Sequence, residues 1–137
     1  MVTDPIQASP HSPLYLVTGA AGFIGARFVD SCQNRGISTL CVDHRDFFHS
    51  RSEHQKVQFG PWIHHEELAQ WLQDKRPSIQ GIVHLGAITD TRETRLDLLR
   101  KMNLDYSKFL WNYAVKAGIP FVYASSAATY GDGALGY

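Results

Sequence analysis

Three glycines at intervals of three, Gly19, Gly22 and Gly25, stand in the string LYLVTGAAGFIG of residues 14–25. Glycines so spaced let a backbone wrap a phosphate. One placed where the chain leaves a strand accepts a turn that a β-carbon resists. A second leaves room for a pyrophosphate to approach the main chain, and a third lets the next helix lie close to the sheet. The N–H groups at that helix start, at the positive end of its dipole, then face the anion. The spacing is GxxGxxG rather than GxGxxG, and glycine is common in ordinary turns. Context decides between the two. Residues 14–18 are apolar or β-branched, an amphipathic run follows the glycines, and an acid, Asp43, ends the next apolar stretch. That is the setting a dinucleotide-binding strand–turn–helix requires.

Two other clusters carry chemistry. Asp43, His44 and Arg45 follow a short apolar stretch. A carboxylate there accepts hydrogen bonds from ribose hydroxyls and favours NAD. A guanidinium attracts a 2′-phosphate, or is simply a solvated loop charge. We expect NADP, with NAD as the alternative. Further on, Ser125 and Ser126 follow the apolar residues 121–124. A hydroxyl so placed can hydrogen-bond a substrate oxygen as charge develops on it, or cap a turn. Gly86 and Ala87 are small enough for a ligand to approach the backbone, and Asn103 is a poor helix former among better ones. No metal site is expected: His64 and His65 are adjacent and diverge, and Cys32 and Cys41 match no ligand spacing. The cysteines read as reduced thiols in a cytosolic core.

The elements that must position these residues alternate. Residues 22–35 form a helix with Ile24, Phe28 and Cys32 on one stripe, Phe23 and Val29 beside it, and Gly36 as its stop. Residues 39–42 form a strand, and polar residues 44–56 a loop beside the adenosine end of the ligand. A brief third strand is expected at residues 57–59, cut short by Gly60-Pro61. A helix over residues 64–75 has Glu66 and Glu67 in its first turn and turns Leu68, Trp71 and Leu72 to the core. Lys75-Arg76 close it before Pro77. Residues 80–85 give a fourth strand. A long helix over 95–117 carries the stripe Leu99, Met102, Tyr106, Phe109 with Leu110, Tyr113 and Ala117, and Gly118 caps it. Residues 121–125 form a fifth strand. Strand–helix alternation predicts an α/β fold, a doubly wound parallel sheet of the Rossmann type, with ligands beyond the carboxyl ends of the strands.

Composition agrees with a soluble globular chain: 44% hydrophobic, 19% charged, thirteen basic against thirteen acidic side chains. That balance exerts no bulk pull toward nucleic acid or membrane. No apolar run approaches the ~20 residues needed to cross a bilayer. Residues 1–13, with three prolines, read as a loose tail.

TGAAGFIG at residues 18–25, HLGA at 84–87, MNLDYSKFLWNYA at 102–114 and PFVYASSAATYG at 120–131 carry a resemblance. The chain resembles the extended short-chain dehydrogenase/reductase family, and within it the ADP-glyceromanno-heptose 6-epimerases of lipopolysaccharide assembly. The resemblance implies that Phe23 and Ile24 border the pyrophosphate and that Asp43 with His44 holds the adenosine ribose. Leu85, Gly86, Ala87, Ile88 and Thr89 would line the nicotinamide side, Asn103 would steady the active-site backbone, and Ser126 would be the catalytic hydroxyl. It further implies bound NADP, an ADP-heptose nucleotide-sugar substrate, a cytoplasmic setting and a homo-oligomeric full-length protein. Another nucleotide-sugar epimerase or dehydratase is the alternative within the superfamily, and a non-catalytic dinucleotide-binding module the alternative outside catalysis. The match is weakest over residues 44–80, where Gly60-Pro61 replace the usual acid after the third strand. Asp90, Arg92 and Glu93 stand where the family has small hydroxyl residues.

The superfamily's base is a tyrosine with a lysine four residues later. Four residues after Tyr15, Tyr106, Tyr113, Tyr123 and Tyr130 stand Gly19, Leu110, Ala117, Ala127 and Ala134, and Tyr137 is the last residue. On this reading residues 14–137 are the N-terminal part of the cofactor domain of a longer enzyme, lacking a substrate domain and inactive by themselves.

Overall fold

Five strands form one parallel sheet in the order β3-β2-β1-β4-β5. The structure, a computed structural model, describes residues 13–136, so the tail expected at residues 1–13 lies almost wholly outside the described residues. Strand β1 (Leu14–Thr18) is central, pairing with β2 (Thr39–Asp43) on one side and β4 (Ile79–His84) on the other. A strand covered on both faces must be apolar throughout, and every β1 residue except Tyr15 is buried. Edge strands β3 (Trp62–His64) and β5 (Phe121–Tyr123) are short.

Helices cover both faces, as the alternation predicts. On one face Leu16, Leu40, Val42, Ile63 and Ile82 of the sheet meet Leu68, Trp71 and Leu72 of α3 (Leu68–Lys75) and Leu110 and Ala114 of a later helix. On the other, Val17 and Cys41 pack with Ala26 and Val29 of α1 (Phe23–Asn34) and with Phe48 and Phe59.

The structure corrects several expectations. Gly60-Pro61 begins the third strand instead of ending it. Gly60 turns the chain with φ +63, and Pro61, which has no N–H to pair, contributes only its carbonyl to Cys41 N–H at 3.0 Å. The strand then runs over Trp62–His64, with Ile63 paired to Val42. Helix α3 accordingly starts at Leu68, with Glu66 and Glu67 in the turn before it. The expected loop over residues 44–56 contains the short helix α2 (Phe47–Ser50), which buries Phe48, and a 3₁₀ turn over Ser52–His54. In α1 the buried stripe is Gly25, Ala26, Val29 and Cys32, while Ile24 faces out. The helix expected over 95–117 is helical but not uniform: α4 (Leu96–Leu99), a π-helical segment (Arg100–Asp105), then α5 (Tyr106–Ala117). The change of pitch puts Ala114, not Ala117, in the core.

Candidate dinucleotide site

The strand order reverses at β1, where β2 and β4 part to its two sides, and the glycine turn lies at that point. Gly19 has φ +66, and a Cβ there would stand 2.6 Å from Gly86 N and 2.7 Å from the Leu85 carbonyl carbon. The exits of β1 and β4 therefore touch backbone to backbone. A Cβ at Gly25 would lie 2.0 Å from Gly19 O, so α1 returns directly onto the turn. At Gly22 the only close neighbour among the described residues is Gly19 O at 3.0 Å. Two glycines thus serve packing, and the third leaves an open approach to the main chain.

The turn is held from behind. Ala21 N–H donates to Asp43 Oδ2 at 2.9 Å, while Ala21 O accepts from Arg51 Nη1 at 2.9 Å and His54 Nε2 at 3.1 Å. A carbonyl only accepts, so His54 carries its hydrogen on Nε2. Arg51 also lies 4.7 Å over the Phe47 ring. Among the described residues no side chain caps the start of α1, and its first turn holds no acid. The first N–H groups of α1 are thus left for an anion. Phe23 and Ile24, 76% and 64% exposed, flank that opening.

A cleft of about 430 Å³ extends from Thr18 and Gly19 across the carboxyl ends of β2, β3 and β4 to Leu98, Met102 and Tyr106. Asp43 lines it while also serving as an anchor: besides Ala21, its Oδ1 accepts His44 N–H at 2.8 Å. His44, His64 and His65 line it too, with ring centroids 4.4–6.1 Å apart. Burial, and then the neighbouring His64, hold the His65 imidazole below its ordinary pKa. Glu66 also lines the cleft, its carboxyl held low by a hydrogen bond from Lys101 at 3.4 Å. An acid therefore does follow the third strand, contrary to the reading of Gly60-Pro61 as its replacement. Arg45 does not line the cleft; it pairs with Glu67 at 3.2 Å beside Trp62. No lysine or arginine is among the lining residues. Tyr106 closes the far wall, its phenol raised by burial, and donates to His65 O at 3.3 Å.

At the end of β4, Gly86, Ala87 and Ile88 line the cleft, whereas Leu85 and Thr89 do not. Asn103 grips the Ile88 peptide at both ends: Ile88 N–H donates to Asn103 Oδ1 at 2.7 Å, and Asn103 Nδ2 donates to Ile88 O at 3.0 Å. Buried His84 bridges Thr18 Oγ1 at 2.5 Å and Ser107 Oγ at 2.7 Å. Ser126 is exposed and accepts Ala128 N–H at 3.2 Å, capping a 3₁₀ turn over Ala127–Tyr130; it lies outside the cleft lining. Asp90–Arg92 and Glu93–Arg95 pair locally at 3.0 and 2.7 Å. Among the described residues no group of three His, Cys, Asp or Glu can hold a metal, and no helix is long and apolar enough to cross a membrane. Sequence reasoning missed Arg51, His54, Glu66 and His84. Only Glu66 had a usable signal, its place three residues after the buried Ile63.

The NAD dependent epimerase/dehydratase family matches residues 15–135. A Fusobacterium nucleatum protein named ADP-L-glycero-D-manno-heptose-6-epimerase is 39% identical over 90% of this chain, which spans 38% of that relative's length. A short-chain dehydrogenase/reductase superfamily protein from Agrobacterium tumefaciens, solved with bound NAD, aligns with a TM-score of 0.69 at 26% identity, over 88% of this chain and 34% of its own. The Helicobacter pylori ADP-L-glycero-D-manno-heptose-6-epimerase aligns with a TM-score of 0.71 over 92% of this chain and 43% of its own; at 23% identity it speaks to the fold alone.

Proposed function

The chain belongs to the NAD dependent epimerase/dehydratase family, and on that premise we propose that it forms the dinucleotide-binding part of an epimerase inverting C6 of an ADP-linked heptose. One observation carries the cofactor half of this reading. In the turn over residues 19–25 the glycines Gly19 and Gly25 pack directly on backbone, the main chain at Gly22 stays open to approach, the Ala21 peptide is pinned by Asp43 and Arg51, and the start of α1 has no side-chain cap. The fit to a nicotinamide dinucleotide is good. Gly22, Phe23 and Ile24 take the pyrophosphate, Asp43 and His44 the adenosine ribose, and Gly86, Ala87 and Ile88 the adjoining wall. Leu85, Thr89 and Asn103 belong to the proposed site as neighbours of that wall, and Arg45 as the residue after His44 at the ribose end. When bound, the dinucleotide supplies reversible hydride acceptance. This chain's own part is to bind and orient, and Ser126 donates a hydrogen bond to the sugar oxygen as charge develops there. NADP is the form that the resemblance to the heptose epimerases favours; NAD, favoured by the Asp43 carboxylate and by a cleft lining without lysine or arginine, is the alternative.

The sugar is supported by the 39% identity to the Fusobacterium nucleatum relative. Two buried unpaired cysteines support a cytoplasmic setting, and the exposed Trp111 and Val115 on α5 support self-association of the full-length protein. The test has two arms. Titration of this chain with NADPH and NADH should show binding that Gly22→Val abolishes; no binding of either refutes the cofactor half. A polypeptide of the relatives' full length that contains this chain should interconvert the two C6 epimers of ADP-heptose. Failure to do so, with cofactor bound, refutes the substrate.

A further inference from the structure

Five groups from three parts of the fold are linked in a chain through His84, and their hydrogens can be placed one by one. Ser107 has a single hydroxyl proton and gives it to Asn103 O at 3.1 Å. Its oxygen therefore accepts from the imidazole, so Nε2, 2.7 Å away, carries the ring hydrogen. Nδ1 is then an acceptor, and the Thr18 hydroxyl 2.5 Å away is its donor. Thr18 Oγ1 in turn accepts Gly86 N–H at 3.2 Å. The chain runs in one direction, from Gly86 N–H through Thr18, His84 and Ser107 to Asn103 O, with every donor matched. Asn103 is also the residue whose side chain grips the Ile88 peptide. Both ends of the chain thus fix the same turn, residues 86–88.

We propose that His84 is a positioning residue for the dinucleotide site: in its neutral Nε2–H form it locks residues 86–88 to β1 and α5, and on protonation it releases them. The inference rests on reading residues 86–88 as a wall of that site. An imidazolium would put a donor on Nδ1, leaving the Thr18 hydroxyl proton without an acceptor and reversing the chain there. Among the described residues no charged partner offsets this. The ring is enclosed by Thr18 of β1, Ser107 and the Tyr106 ring of α5, and the Phe121 ring of β5, both rings 6.0 Å away. Tyr106 is the other titratable group, kept neutral by burial beside Asp43 across the cleft. Burial alone displaces His84, downward from its ordinary value.

The first measurement is the tautomer of His84 by long-range ¹H–¹⁵N correlation in the ¹⁵N-labelled chain, between about pH 5 and pH 8. A neutral Nε2–H ring near pH 7, with the Gly86 amide signal moving in step as His84 titrates, supports the proposal. A Nδ1–H ring, an imidazolium near pH 7, or a Gly86 amide indifferent to that titration overturns it. The second uses two substitutions that hold no charge at any pH. His84→Asn keeps an amide near the Nδ1 position and His84→Gln one near Nε2, so each breaks one link. Each should weaken NADPH or NADH binding about tenfold; wild-type affinity in both overturns the proposal. If wild-type chain binds neither dinucleotide, the cofactor reading has failed, and the tautomer measurement still decides the role of His84 within the fold.

Discussion

Replacing Gly25 by alanine puts a β-carbon 2.0 Å from Gly19 O and 2.8 Å from the carbonyl carbon, where approaches under 3.0 Å are not tolerated. The carbonyl must retreat by about 1 Å to reach that limit. It cannot do so freely, because Gly22 N–H holds it at 3.0 Å and Gly19 already abuts the Gly86 backbone. Overpacking typically costs about 1–3 kcal/mol and a strained hydrogen bond about 1 more. The expected loss is about 3 kcal/mol. Urea denaturation followed by far-ultraviolet circular dichroism reads it directly: with a slope of about 1.5 kcal/mol/M, the midpoint falls by about 2 M. Gly118→Ala is the comparison, because its φ of +67 is strained but no described residue lies within 4 Å of the added carbon; it should cost about 1 kcal/mol. Gly22→Ala should cost under about 1 kcal/mol yet lose dinucleotide binding. If the Gly25→Ala midpoint matches that of Gly118→Ala, α1 does not rest on the turn and the reasoning fails.

Asn103→Ala removes both bonds to the Ile88 peptide and should weaken dinucleotide binding about tenfold, as read by titration; unchanged affinity means that peptide does not border the ligand. Ser126→Ala, in a polypeptide of the relatives' full length, should cut turnover by about 10²-fold or more without affecting cofactor binding; if Ser125→Ala does this instead, the other hydroxyl is the donor. Acid should destabilise the fold. His84 and His65 are both held below the ordinary 6.5 by burial, so the unfolded chain takes up protons near that pH while the folded chain does not. Stability is therefore undiminished above about 6.5 and falls as pH drops toward the folded values. Thermal midpoints across that window should decline on acidification, and a rise would contradict the burial of both rings.

Periodic features were legible in the sequence. Strands β1, β2 and β4, the core-facing residues of α3 and the alternation that dictates a parallel sheet all follow from apolar spacing. So does the placing of the glycines and Asp43 at strand ends. What escaped was set by contacts distant in sequence. Arg51 and His54 fall in a stretch without period, and only the fold brings them to Ala21. Gly60-Pro61 reads locally as a stop, but pairing with Cys41 makes it the entry to a strand. Ile24 fits the α1 stripe by spacing, yet Gly25 and Ala26 take the core-facing positions of that first turn and the Ile24 side chain is left exposed. Thr18, His84 and Ser107 are ordinary residues in the sequence; their linkage exists only because Thr18 and His84 are register partners and α5 crosses above them.

The π-helical segment over Arg100–Asp105 has a consequence for how this helix can evolve. Tyr106 N–H reaches back five residues to Lys101 O, so the helix holds one residue more than a regular coil would over that turn. Within the wide segment Asn103 reaches Ile88; beyond it, Leu110 and Ala114 face the sheet. Removing one residue between these stretches would restore a regular α-helix and improve its local geometry. It would also rotate one stretch against the other by about 100°. Either Asn103 would swing off the peptide it grips or the core residues would swing off the sheet. A change that benefits the helix as a helix would therefore harm the molecule, and the wide turn has to be preserved to keep the two halves in step.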